Sequence, residues 1–244
     1  RLTIVPHGPL HYVPFAALGE TREPLVARHE LRLLPAAAVT SFLDSDGRGR
    51  RNLLALGNPD RGDPALDLPG AERETRLIDR DWEDSRILLR GLASEAAFKR
   101  LAPGFGYLHL ASHGEFDAST PLASRMLLAA GDGEDGDLTA AELYGLRLAA
   151  DLVTLSACET GLGDVRGGDD VIGLTRGFLY AGARSIVTSL WEVSDAETAF
   201  LMEQFYGALG GATKAGALHE AVLATRARYV HPAYWSAFTL TGAR

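Results

Sequence analysis

Seven short apolar runs, each of four to eight residues, alternate along this chain with segments of helical period. The runs are "LTIV" (2–5), "NLLALG" (52–57), "SRILL" (85–89), "GYLHLAS" (106–112), "DLVTLSA" (151–157), "SIVTSLW" (185–191) and "WSAFTLTG" (235–242). Runs this short read as strands, and regular alternation of strand and helix predicts an α/β fold whose mostly parallel sheet is flanked by helices. The helical segments are 70–81, 94–102, 139–146, 170–182, 195–209 and 213–230. Ser94, Thr139 with Glu142 three residues on, and Ser194 or Asp195 offer N-cap oxygens, while Gly182 and Gly210 stand at C-cap positions. The last helix carries an apolar stripe of Ala217, Leu218, Ala221, Val222 and Ala224 for packing on the sheet.

At 244 residues, 46% hydrophobic and 23% charged, the chain can bury one large domain or two small ones. A net charge of −8, with no basic cluster beyond "GRGRR" (47–51), argues against nucleic acid as a direct partner. The one cysteine forms no internal disulfide, so nothing signals an oxidising compartment. No run approaches the ~18 apolar residues that read as a membrane span. Residues 1–5 are not followed by the apolar core of a signal peptide. A cytoplasmic domain is expected, without membrane contact. Because the chain starts with Arg1, it is expected to be a fragment of a longer protein.

Three patterns invite a functional reading and weaken on inspection. "GLGDVRGG" (161–168) has Arg166 where a dinucleotide fingerprint needs its third glycine, and it reads as a flexible loop. "AAGDGEDGDL" (129–138) lacks the spacing of a calcium loop and reads as a solvated turn. His109 and His113 are four apart on a strand and its end, with Glu115 and Asp117 nearby, but no thiolate cluster accompanies them for a structural zinc. No metal or other cofactor is expected.

The strongest pattern joins "LHLASHG" (108–114) to "VTLSACETG" (153–161). Both are apolar strands that run into a small-residue turn, one ending in His113 and the other in Cys158. In an open parallel sheet, side chains at the carboxyl ends of strands face the crevice where ligands bind. His113 and Cys158 are therefore expected on one edge, with Gly114 and Ala157 leaving room for a substrate backbone. A free thiol has a pKa of about 8.5, so only about 3% is thiolate at neutral pH. An imidazole beside it can take the proton. Backbone amides at Cys158 and Gly114 would then hold the oxyanion of a tetrahedral intermediate. The plainer alternatives are a buried structural cysteine and an ordinary core histidine.

These residues also carry a resemblance. "HLASHGEF" and the long stretch from "LSACETGLGDVRGGDDVIGLTRGF" to "SLWEVSDAETAFLMEQFYGAL" resemble the CHAT family, caspase-like domains often found after TPR repeats. "LTIVPHGPLHYVPFAAL", "LPGAERET" and "HPAYWSAFTLTG" resemble it too, so the likeness covers essentially the whole chain, as a single domain of residues 1–244. It implies a caspase-like α/β fold, with a degenerate N-terminal half (roughly 1–100) packed on a catalytic half (101–244). It also implies cysteine endopeptidase activity by the His113–Cys158 dyad. The implied partners are a protein substrate, gasdermin-like in some bacterial defence relatives, and an upstream TPR region or other regulator. "SLWEVSD" is similar to a segment of separases, which favour a basic residue before the scissile bond. That implies a specificity pocket walled by Asp195 and Glu192, with Asp169 and Asp170 as further acids. Where the family usually has Gly-Glu-Gly, this chain has Gly168-Asp169-Asp170, which alters the local backbone freedom. Two other readings of the same fold are a catalytically silent interaction module and a small-molecule hydrolase using the same dyad.

Overall fold

The computed structural model describes residues 1–39, 50–80, 82–115, 117, 119–156, 170–191 and 193–243. The chain opens with β1 (Leu2–Ile4), the ribbon β2 (Gly19–Glu20) and β3 (Glu23–Pro24), one turn of α1 (Leu25–Arg28), and β4 (Leu31–Leu33). Next come β5 (Leu53–Pro59), α2 (Pro69–Asp79), β6 (Ser85–Arg90) and α3 (Glu95–Leu101). β7 (Tyr107–Ala111) leads into β8 (Gly114–Glu115), β9 (Arg125–Leu127) and β10 (Asp137–Thr139), which form a small antiparallel sheet. The rest is α4 (Ala140–Leu143), β11 (Leu152–Ser156), α5 (Asp170–Ala181), β12 (Ser185–Ser189), α6 (Asp195–Ala208), α7 (Lys214–Arg228) and β13 (Phe238–Gly242).

Eight strands make the central sheet, in the order β1-β4-β13-β12-β11-β7-β5-β6. β6, β5, β7, β11 and β12 run parallel, and β13 reverses against β12, with β4 and β1 following its direction. The carboxyl ends of five strands thus share one edge. Strands from before residue 100 lie at both edges of the sheet, and those from after it form the centre.

Alternation along each central strand divides the core in two. Leu54, Leu108, Leu110, Val153 and Leu155 pack beneath α3, α4 and α5, where Phe98 and Phe178 meet edge to face at 6.3 Å. Leu53, Ala55, Leu152 and Val187 pack beneath α2, α6 and α7, with Ile78, Phe205 and Val222. Each fully buried side chain of this kind contributes about 1.5–3 kcal/mol relative to exposure. Gly106, just before β7, is fixed by close approach, since a Cβ there would lie 1.7 Å from the Arg50 carbonyl oxygen.

Each of the seven apolar runs contains a strand, and each helical segment contains a helix. Ser94 caps α3 through the Ala97 N–H, and Thr139 with Glu142 forms a full capping box on α4. Two differences are physical. β4 went unread because three residues, Leu31-Arg32-Leu33, are too few to establish an alternation. Gly182 turns at φ 113°, whereas α6 ends on right-handed Leu209 and Gly210 has no positive φ.

Candidate functional site

His113 lies two residues beyond β7, on the edge formed by the parallel carboxyl ends. Its backbone is stitched to β9: the Ser112 hydroxyl donates to the Leu127 carbonyl, and the Leu127 N–H donates to the His113 carbonyl at 2.9 Å. The His113 ring then reaches the turn after β5, with Nε2 3.1 Å from the carbonyl oxygen of Leu66. A carbonyl can only accept, so Nε2 carries the hydrogen. In the neutral ring Nδ1 is then an open acceptor, and it is buried with no partner among the described residues. An unmet buried acceptor costs about 1–3 kcal/mol, which makes this nitrogen the notable feature of the edge.

Residues of β11 pair with residues of β7 45 positions earlier, as Ser156 does with Ala111. The same separation divides Cys158 from His113 in the sequence. Cys158, Asp169 and Glu192 lie outside the described residues, and Asp170 opens α5 with its side chain likewise outside them. Gly114 is buried in β8 opposite Met126. Asp195 is exposed at the start of α6, and its carboxylate lies against the first turn of α2: a Cβ on Gly70 would fall 2.0 Å from Asp195 Cγ. Helix starts favour a carboxylate there. His113 and Asp195 therefore abut the same short segment, residues 66–70.

His109 and His113 do not share a site. His109 is fully buried, with Nδ1 3.1 Å from the Tyr206 hydroxyl and Nε2 3.0 Å from Glu74 Oε1, out of line for a hydrogen bond. Tyr206 donates onward to Thr154 Oγ1 at 2.9 Å, and burial pushes its phenol well up. Glu115 pairs instead with Arg125, and Asp117 caps its own turn at Ser119 and Thr120.

Among the described residues one acidic group has the closeness of a metal site: Glu95, Glu134 and Glu142. A cation already sits there, because Lys99 Nζ is 2.7, 2.8 and 2.9 Å from the three carboxylates. Burial would lower the Lys99 ammonium, but the hydrogen bonds to Glu134, Glu95 and Glu142 outweigh it and hold it above the lysine range. Burial also works to raise both carboxyls; in Glu95 it prevails, whereas in Glu142 the Thr139 amide and Lys99 overcome it and bring the value down to about 2. The 129–138 turn is thus tied to α3 and α4, more than the solvated turn its composition suggests. Sequence reading missed this cluster and the Leu66 carbonyl, since neither main-chain acceptors nor pairs of distant carboxylates leave a local pattern.

The family model described as CHAT domain matches residues 1–243. Tetratricopeptide repeat protein 28 of Homo sapiens is 27% identical over 296 aligned residues, which span 99% of this chain and 12% of that protein. The Mus musculus protein of the same name is 41% identical over 108 residues, or 43% of this chain and 4% of that protein. The chain is thus a small part of the length of these relatives. Saccharomyces cerevisiae separase, solved in complex with securin, superposes with a TM-score of 0.62 at 14% identity, covering 96% of this chain and 15% of that one. Gingipain R of Porphyromonas gingivalis, described as an Arg-specific cysteine proteinase, gives a TM-score of 0.52 at 12% identity over 79% of this chain and 46% of that one. At these identities the likeness is one of fold, and the fold is caspase-like. Among the described residues no helix is long and apolar enough to cross a membrane.

Proposed function

This chain belongs to the CHAT domain family, and from that premise we propose that it is a cysteine endopeptidase with Cys158 as nucleophile and His113 as base. The observation that carries the reading is the His113 ring, whose Nε2–H is given to the Leu66 carbonyl while Nδ1 stays open. A ring held in that tautomer can accept a thiol proton at Nδ1 with no rearrangement. The imidazolium so formed keeps both N–H groups useful, one on Leu66 and one for the departing amine. The Cys158 sulfur attacks the scissile carbonyl carbon, the C–N bond breaks as Nδ1 returns its proton to the amine, and water hydrolyses the thioester. The shared 45-residue offset of strand pairing and dyad supports the same pairing.

The specificity pocket is proposed to be acidic and to take Arg or Lys before the scissile bond, with Asp195 and Glu192 as its main acids and Asp169 and Asp170 as the alternatives. Asp195 is exposed at the edge that carries His113, so its charge is available to a substrate. The Arg-specific description of gingipain R, a caspase-like relative in fold, supports the same preference. A protein substrate, gasdermin-like in a bacterial defence setting, and a TPR array in the same polypeptide complete the proposal. The tetratricopeptide relatives support the second of these, and the first rests on the motif resemblance.

Cleavage of a peptide library read by mass spectrometry tests the reading, with wild type compared with Cys158→Ala and His113→Ala. Loss of all cuts in both variants, with the fold intact, is the expected result. Persistent cutting in Cys158→Ala would overturn the mechanism, and an inert Cys158 in a folded wild type would favour a silent interaction module.

A further inference from the structure

The Leu66 carbonyl is useful to His113 only if the turn that presents it is fixed. β5 and β6 end irregularly above that turn: Gly57 is paired with Leu89 and Pro59 with Arg90, which leaves Asn58 as the extra residue of a bulge. Each strand has a left-handed residue at or next to its end, Asn58 at φ 49° and Arg90 at φ 55°. Asparagine tolerates that conformation, whereas arginine adopts it only where the surroundings impose it. The two residues turn their side chains to the segment 60–68. Asn58 is 2% exposed, and its Oδ1 accepts the Leu68 N–H at 2.8 Å. Arg90 pairs with Asp67 and lies 4.0 Å from Asp60. On its other side Leu66 closes a short turn whose Asp63 cap accepts the Ala65 N–H at 2.9 Å.

We propose that Asn58, assisted by Arg90, is a positioning residue for His113. By holding the Leu68 amide and Asp67, the two residues that follow, the pair fixes the direction of the Leu66 carbonyl. That direction decides which ring nitrogen of His113 carries hydrogen and where Nδ1 stands. The inference rests on the peptidase reading for its effect on rate, but the tautomer of His113 is a property of the folded chain whatever it catalyses. Bulges recur beside active sites because they aim a group that a regular strand would not, and here the aimed group is a backbone carbonyl two residues from the clamp.

The test labels the histidines with nitrogen-15 and reads the His113 ring nitrogens by NMR in wild type, Asn58→Gly, Asn58→Asp and Arg90→Gln. Glycine keeps the left-handed backbone and removes only the amide, while aspartate keeps the acceptor. Wild type is expected in the Nε2–H form. Asn58→Gly should show a mixture with Nδ1–H and lose about 10- to 100-fold in kcat, as small misplacements do, with KM within about twofold. Asn58→Asp should restore both, and Arg90→Gln, which releases an exposed tether, should give a smaller shift of the same kind. An unchanged His113 tautomer in folded Asn58→Gly overturns the proposal, and if that variant does not fold, an unchanged tautomer in Arg90→Gln does so. If the tautomer shifts as described while no variant or wild type cleaves peptides, the positioning role stands and the peptidase reading falls.

Discussion

The His113 imidazole donates its Nε2–H to the Leu66 carbonyl at 3.1 Å, joining two segments 47 residues apart. One ring nitrogen is thereby committed to structure, and the other is buried without a partner among the described residues. In the proposed mechanism, a base already in the needed tautomer loses no free energy to ring reorientation when the thiol approaches.

Alkylation of the single thiol should depend on His113. With the imidazole in place, Cys158 should react with iodoacetamide well below the pH of a free thiol. In His113→Gln its rate at neutral pH should fall about tenfold, the ratio expected if the thiol returns to its ordinary pKa of about 8.5. Equal rates in the two proteins across pH 5–9 would show that the ring does not reach the sulfur.

Asp195→Ala should raise KM for substrates with Arg before the scissile bond and leave the melting temperature nearly unchanged, because the side chain is exposed. Its place against Gly70 makes a loss of a few tenths of a kcal/mol reasonable for a carboxylate at a helix start. Peptides varied only at that position measure it. Undiminished preference for Arg would remove Asp195 from the pocket.

Lys99→Met should destabilise the fold by about 3 kcal/mol at neutral pH, the low end for removing one partner of a buried pair, because Lys99 keeps 21% of its side chain exposed. The deficit should shrink on acidification. Without the ammonium the buried Glu95 carboxyl, already raised by burial, is raised further in the folded state, which then binds more protons there than the unfolded state, so that contribution to stability rises as pH falls. In wild type Glu142 runs the other way: its depressed carboxyl adds stability above its ordinary 4.5 that is lost as pH falls through about 2. Denaturant titrations at pH 7 and pH 4 read both signs, and a constant difference between the proteins would count against the cluster.

Chelation should do nothing. EDTA is expected to leave activity and melting temperature unchanged, since Lys99 fills the acidic group. A rise in melting temperature of the wild type with millimolar calcium would mean that the 129–138 turn had been misread.

Gly106→Ala should cost about 3 kcal/mol or prevent folding, at the high end for overpacking, because the clash at 1.7 Å is with backbone. A melting temperature within a degree of wild type would contradict the close approach of residues 50 and 106.

Period, capping residues and turn composition act within a few residues of one another, so the sequence by itself determined the seven strands from apolar runs, the six helices α2 to α7, and the edge that carries His113. It also put Cys158 forward as a candidate nucleophile, a residue that lies outside the described ones. Only the tertiary structure decided that β4 and β1 extend the sheet beyond β13, that Lys99 meets carboxylates from three segments, and that Leu66 faces His113. Apart from the Lys99–Glu95 contact within α3, these are pairings across 29 residues or more, made by main-chain atoms and single charges. Such groups have no period and every residue supplies a carbonyl, so only the packed sheet specifies which carbonyl orients the His113 ring.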